Sequence, residues 1–265
     1  MRKIIIKSDD YGFTPAITDG IIYGCEKKGI TCTGLFSNMP TASYALARMA
    51  AFPEVCLGQD INSVAGYPVT DAKLIPNLVQ PNGKFLDAPM NRALDKQAVN
   101  NDHLVYEECL LEVENQVQRF IALAKKKPEY LQGHSYGTPT LRKAHKVIAD
   151  KYEIPYGEDL AERFNIVRGK SWNIKPFAFE DQLKTSVLDF IISGKTELEK
   201  LPDGGVGIIG THCGYIDQEI FEHSTYTVIR IKDLYAVTSE KFRDWLKAND
   251  MILVSYRDLI SEVEK

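Results

Sequence analysis

Nowhere in its 265 residues does the chain carry an unbroken apolar run approaching the roughly eighteen that a membrane-spanning helix needs. Nor is there an excess of basic residues. Lys and Arg number 32 against 36 Asp and Glu, with a pI near 5.8, so nothing in the charge draws it to nucleic acid. Five cysteines (Cys25, Cys32, Cys56, Cys109 and Cys213) are scattered, odd in number and without CxxC spacing, which excludes a zinc ribbon. They read as small buried hydrophobes of a reducing compartment. The apolar part of MRKIIIKSDD is too short for a secretory signal, and a cytoplasmic protein is expected. No low-complexity tract and no internal repeat interrupts the chain.

What is present is a 44% hydrophobic chain long enough for one large domain. Residues 2–7 read as a short apolar strand. Thr14-Pro15 is an N-cap with proline at the first helical position, Ile17, Ile21 and Cys25 share one helical face, and Gly29 closes that helix. Strands follow at 30–37, 55–61, 129–134, 205–212 and 251–256, with helical stripes between them, among them Tyr106 to Ala124 and "SEKFRDWLKAN". This alternation predicts parallel βαβ units. The expectation is an α/β fold over residues 1–265: a single, distorted (β/α) barrel of six to eight parallel strands, ahead of a doubly wound open sheet. Residues 62–100 carry Pro68, Pro76, Pro81 and Pro89 and no sustained period, so an irregular insertion is expected there. Residues 152–176 are less legible.

On that frame the polar residues gather at strand exits: Asp9 and Asp10, Ser37 and Asn38, Gln59 and Asp60, His134, and His212. In a parallel barrel these exits share the face where active sites are built. Taken singly, Asp10 reads as a helix cap and His134 as a satisfied core histidine. Taken together, two carboxylates and an imidazole can hold a divalent cation with positions left open for water and substrate, and the oxygen-rich set leans toward Mg²⁺ or Mn²⁺.

The residues "SDDYG" at 8–12, "ITCTGLFSNMP" at 30–40 and "THCGY" at 211–215 resemble the "DDFG", "VTSTxLMVNMP" and "HPGY" motifs of the YdjC-like carbohydrate deacetylases, of the chitooligosaccharide deacetylase kind. The resemblance spans essentially the whole chain. It implies Asp9 as general base and Asp10 at the metal. "GQDINSVAGYP" aligns with "GLHLNLTxGxP", so Asp60 stands where the family has a ligand histidine. "QGHSYGTP" aligns with "DSHxHVHxxP", which makes His134 a ligand and puts Tyr136 and Thr138 in place of two histidines. The implied set is Asp10, Asp60 and His134 around a divalent cation, Mg²⁺ first and Zn²⁺ or Mn²⁺ as alternatives.

The implied reaction is hydrolysis of the acetamide of an N-acetylated sugar or oligosaccharide. The cation polarises the carbonyl, Asp9 deprotonates a bound water, and an acid protonates the departing amine. His212 suits that acid, with an unperturbed pKa near 6.5, and the alkaline limb of the rate profile is expected to belong to it. Tyr11, Tyr67, Tyr136 and Tyr215 fall on the expected rim, where rings stack on a sugar face, and Asn38 joins them as a substrate contact. The 62–100 insertion is expected to wall the pocket. Two rival readings are a metal-independent glycoside hydrolase using Asp9 and Asp60 as its carboxylate pair, and a non-catalytic sugar-binding descendant. The expected partner is a small carbohydrate, with neither nucleic acid nor membrane involved, and a homodimer is compatible with the sequence.

Overall fold

The computed structural model describes residues 1–172 and 178–264. Seven strands lie in it: β1 (Arg2–Tyr11), β2 (Cys32–Leu35), β3 (Cys56–Ile61), β4 (Leu131–Gly133), β5 (Val167–Arg168), β6 (Val206–Thr211) and β7 (Met251–Leu253). Every pairing among them is parallel, in the order β4-β3-β2-β1-β6-β5. One edge of β1 is divided between two neighbours: Arg2, Lys3 and Ile4 face β7, while Lys7, Ser8 and Tyr11 face β2. The result is a curled, open barrel flanked by helices, as the alternation predicts. Among the described residues β4 and β5 do not pair, and a single parallel bridge from Leu131 to Tyr156 fills part of that seam.

Strand residues alternate between two faces, and here the faces bury different cores. Ile4 and Ile6 pack on the helices with Ile17, Ile21 and Leu35. Ile5 points the other way, into a separate interior cluster with Cys32, Cys56, Tyr130 and Tyr256. All five cysteines are free and buried, consistent with their reading as small hydrophobes. The same alternation sends Lys7 and Asp9 inward. Opposite them the wall is thinned. A Cβ at Gly34 would sit inside van der Waals contact of the Asp60 carboxylate, and one at Gly58 would strike the Tyr130 ring.

The first helix, Pro15–Glu26, starts as predicted, with the Thr14 hydroxyl accepting from Ile17 N at 3.3 Å. Two regions differ from expectation. The 62–100 insertion is not wholly irregular, because it holds a helix at Ala88–Asp95 capped by Asp87 and an antiparallel bridge between Val79 and Phe85. With two buried residues in eight, that helix leaves no apolar stripe to read. The insertion packs on the β4 exit: Arg92 Nη2 donates to Ser135 O at 3.3 Å, and the Tyr136 hydroxyl donates to Asp95 at 2.8 Å. The second is a helix at Ile229–Thr238, a stretch to which the sequence patterns assign no element. Its buried face mixes Arg230 and Asp233 with Ile229, Leu234 and Val237, which blurs the apolar period. Of the poorly legible 152–176 stretch, a helix at Gly157–Arg163 and β5 are seen, and residues 173–176 lie outside the described residues.

Gly34→Ala tests the thinned wall. Lys7 holds the Asp60 carboxylate in place, so the added methyl cannot push it aside. The variant should lose about 1–3 kcal/mol of stability by overpacking, read as a lower urea midpoint at unchanged slope.

Candidate active site

The strand exits converge as parallel strands require, and charge decides how they are arranged. Asp9 and Asp10 are neighbours, yet they do not share a partner. Asp10 takes a left-handed backbone, φ +73°, followed by Gly12 at φ +80°. An L-residue pays about 1–2 kcal/mol for that conformation. It breaks the strand register between Ser8 and Tyr11 and turns the second carboxylate away from the first.

Asp9 meets Lys7, whose buried ammonium donates to it and to Asp60 Oδ1 at 3.0 Å, above the face of Tyr130. Burial opposes the charge on Lys7, but Asp60 and Asp9 outweigh it and hold the amine above its ordinary range. Burial likewise pushes Asp9 up, and Lys7 and His212 bring it below the usual carboxylate range. Asp60 goes the other way: burial, with Asp9 and Asp10 adding to it, lifts its carboxyl to about 7 against the pull of Lys7. With Asp9 ionised beside it, Lys7 stays charged in either form of Asp60.

Asp10 is buried between a guanidinium and an imidazole. Arg230 Nη2 donates to its Oδ2 at 2.7 Å, and His134 Nδ1 lies 3.1 Å from its Oδ1. Burial alone would raise Asp10; His134 and Arg230 hold it well below the usual range. His134, just past β4, rests edge-on against Phe36 with ring centroids 4.7 Å apart.

His212, past β6, is aimed from the helix Ile229–Thr238. Asp233 Oδ2 accepts its backbone N–H at 2.8 Å, while Asp233 Oδ1 takes Trp172 Nε1 at 2.9 Å. The imidazole packs on Tyr226, and its Nε2 stands 3.9 Å from Asp9 Oδ2. Burial lowers the pKa of His212 below 6.5, partly countered by Asp10 and Asp9, so the ring is neutral at pH 7. Beside this cluster, along the β4–β5 seam, lies a cavity of about 360 Å³ lined in part by Lys7, Asp9, His134, Tyr136, Arg168 and Tyr256.

Of the residues expected from sequence, Asp9, Asp10, His134 and His212 meet at the mouth, and Asp60 is reached through Lys7. Three substrate assignments require correction. Tyr11 is fully buried, its hydroxyl donating to Ala45 O at 2.6 Å, because the strand continues to it and turns it into the helix layer. Asn38 spends its amide on Ala65 O and Tyr67 O and its carbonyl on Asn62, so it braces the insertion. Tyr215 lies out along the first helix against Tyr23. Tyr136 does line the cavity, and Thr138 caps the helix Pro139–Tyr152.

Nor do the residues fit the expected cation. Asp10 Oδ1 and Asp60 Oδ2 are buried without hydrogen-bond partners among the described residues, as open ligand atoms would be. Yet Asp60 is engaged by Lys7 and Asp10 by Arg230. Among the described residues no three His, Cys, Asp or Glu side chains are grouped to hold a metal ion. Sequence reasoning missed Lys7, Arg230 and Asp233. Only Lys7 left a signal, a charge on the inward parity of an apolar strand.

The YdjC-like protein family model matches residues 3–248. The chain belongs to the YdjC-like family. Relatives within reach of this sequence include "Carbohydrate deacetylase 2" of Listeria innocua, 28% identical and covering 97% of this chain and 98% of the relative. A "Carbohydrate deacetylase" of Halalkalibacterium halodurans is 26% identical over 91% of this chain and 98% of its own. A crystal structure from Enterococcus faecalis, described as a "putative cellobiose-phosphate cleavage protein", superposes with a TM-score of 0.73 at 22% identity, covering 97% of this chain and 98% of that one. That likeness bears on the fold.

The Arg230–Asp10 pair gives a stability test. Arg230→Met strands a buried carboxylate and should cost about 3–5 kcal/mol by chemical denaturation. Adding Asp10→Asn should recover a large part of the loss, because the second change removes the orphaned charge.

Proposed function

We propose that the chain is a carbohydrate deacetylase that hydrolyses the acetamide of an N-acetylated sugar. The observation that carries this reading is the pairing of Asp9 and His212 at a cavity mouth. Lys7 occupies one oxygen of Asp9 and leaves Oδ2 directed at the imidazole. The named deacetylases among its full-length relatives supply the substrate class.

Water adds to the acetyl carbon as Asp9 Oδ2 removes its proton. The negative charge that develops on the carbonyl oxygen lies near Lys7, a fixed positive charge in a poorly hydrated setting, where such charges act most strongly. The proton then passes from Asp9 to the neutral His212, and the imidazolium hands it to the nitrogen as the C–N bond breaks, giving the free amine and acetic acid, which loses its remaining proton to water. Burial thus revises the expected role of His212. It starts the cycle as an acceptor and becomes the acid within it.

The glycosidase reading loses support, since Asp60 is held by Lys7 at 1% exposure and is not presented to a sugar.

Acetate release from short N-acetylglucosamine oligomers tests the proposal. His212→Ala should lower the rate by roughly 10²–10⁴-fold. Because the imidazole must begin neutral, the wild-type rate should fall as pH drops through its lowered pKa, below 6.5, and that acid limb should vanish in the variant. Sugar binding without acetate release by the wild type would assign the chain to the non-catalytic descendants.

A further inference from the structure

Three carboxylates, those of Asp9, Asp10 and Asp60, face two fixed cations inside the barrel mouth, Lys7 and Arg230. Arg230 serves only Asp10 among them and comes from the helix layer. Lys7 is different. It rises from the barrel floor on the inward parity of β1 and bridges two carboxylates, Asp9 and Asp60. Gly34 makes the room that lets Asp60 reach it. An ammonium cannot accept a lone pair, so it does not act as a Lewis acid. It does neutralise carboxylates and stabilise an oxyanion, and it excludes a second cation from the same oxygens by charge and by volume.

We infer that the Lys7 ammonium holds, as a permanent part of the chain, the place of the divalent cation at this site, and that its removal converts the mouth into a cation site. Without Lys7, Arg230 is the one fixed counter-charge against these carboxylates among the described residues; a divalent cation that displaces the Asp60 proton would find two negative charges left over, the amount it cancels. Among the described residues, Asp60 Oδ1 loses the one ion-pair partner it has, and Asp60 Oδ2 and Asp10 Oδ1 already lack hydrogen-bond partners. His134 Nδ1 is adjacent to the latter. The inference rests on reading the mouth as the reacting site, but its test does not require turnover.

Mn²⁺ binding, followed by paramagnetic resonance and calorimetry in the absence of sugar, decides it. Lys7→Ala should gain one Mn²⁺ site at least about a hundredfold tighter than any in the wild type. Lys7→Arg, which keeps the charge, should behave as wild type. Asp60→Ala, which opens the mouth but keeps the ammonium, should gain nothing. If Lys7→Ala does not fold alone, recovery of its melting transition on adding Mn²⁺ is the same readout. Wild type and Lys7→Ala binding Mn²⁺ within about tenfold of each other, tightly or weakly, overturns the inference. So does a Lys7→Ala variant that Mn²⁺ cannot rescue. Acetate release can fail while these binding results hold, and the reverse, so the two readings fall separately.

Discussion

A lysine ammonium sealed inside a sheet of parallel strands survives only where carboxylates meet it, and most of the mouth of this barrel is arranged around that requirement. Lys7 is inward because Ile5 is inward. Its charge then needs Asp9 on its own strand and Asp60 from β3. Asp60 in turn needs the missing side chain of Gly34, and Tyr130 needs that of Gly58. A buried pair of this kind is weak support for stability but strong constraint on geometry, since every group must stay where its partner is. Asp9 is thereby held with one oxygen committed and one presented.

The second carboxylate is solved differently. Asp10 cannot join the same cation without adding a third carboxylate around it, and its left-handed backbone directs it to His134 and Arg230. The helix Ile229–Thr238 accordingly contributes twice: Arg230 to Asp10, and Asp233 to the backbone of His212. One short helix fixes both the carboxylate that must not move and the imidazole that must carry a proton.

The succession of strands and helices, the parallel sense and the gathering of Asp9, Asp10, His134 and His212 were legible because short apolar runs and strand exits are local signals. The arrangement of the charges was not. Lys7 looks like a flanking solubilising residue until its parity is followed into the barrel. Arg230 and Asp233 sit on a helix whose buried face carries charge, so the pattern that reveals helices is erased by the residues that make this one useful. Tyr11 and Asn38 show the converse. A residue at a strand exit can still be consumed by the scaffold, Tyr11 by a helix carbonyl and Asn38 by the insertion it anchors.

The division of one edge of β1 between β7 and β2 bears on how the molecule comes to be folded. Arg2 bonds across 247 residues to the Asn249 carbonyl, and the first half of the central strand finds one of its neighbours only when residues 251–253 exist. During synthesis β1 precedes every other described strand and is completed last. Loop closure over such a distance makes the final pairing slow, and until then an apolar strand presents unpaired backbone groups along half of one edge. The nascent chain is therefore vulnerable to strand-to-strand aggregation along β1, and residues 251–253 act as the latch that ends that exposure.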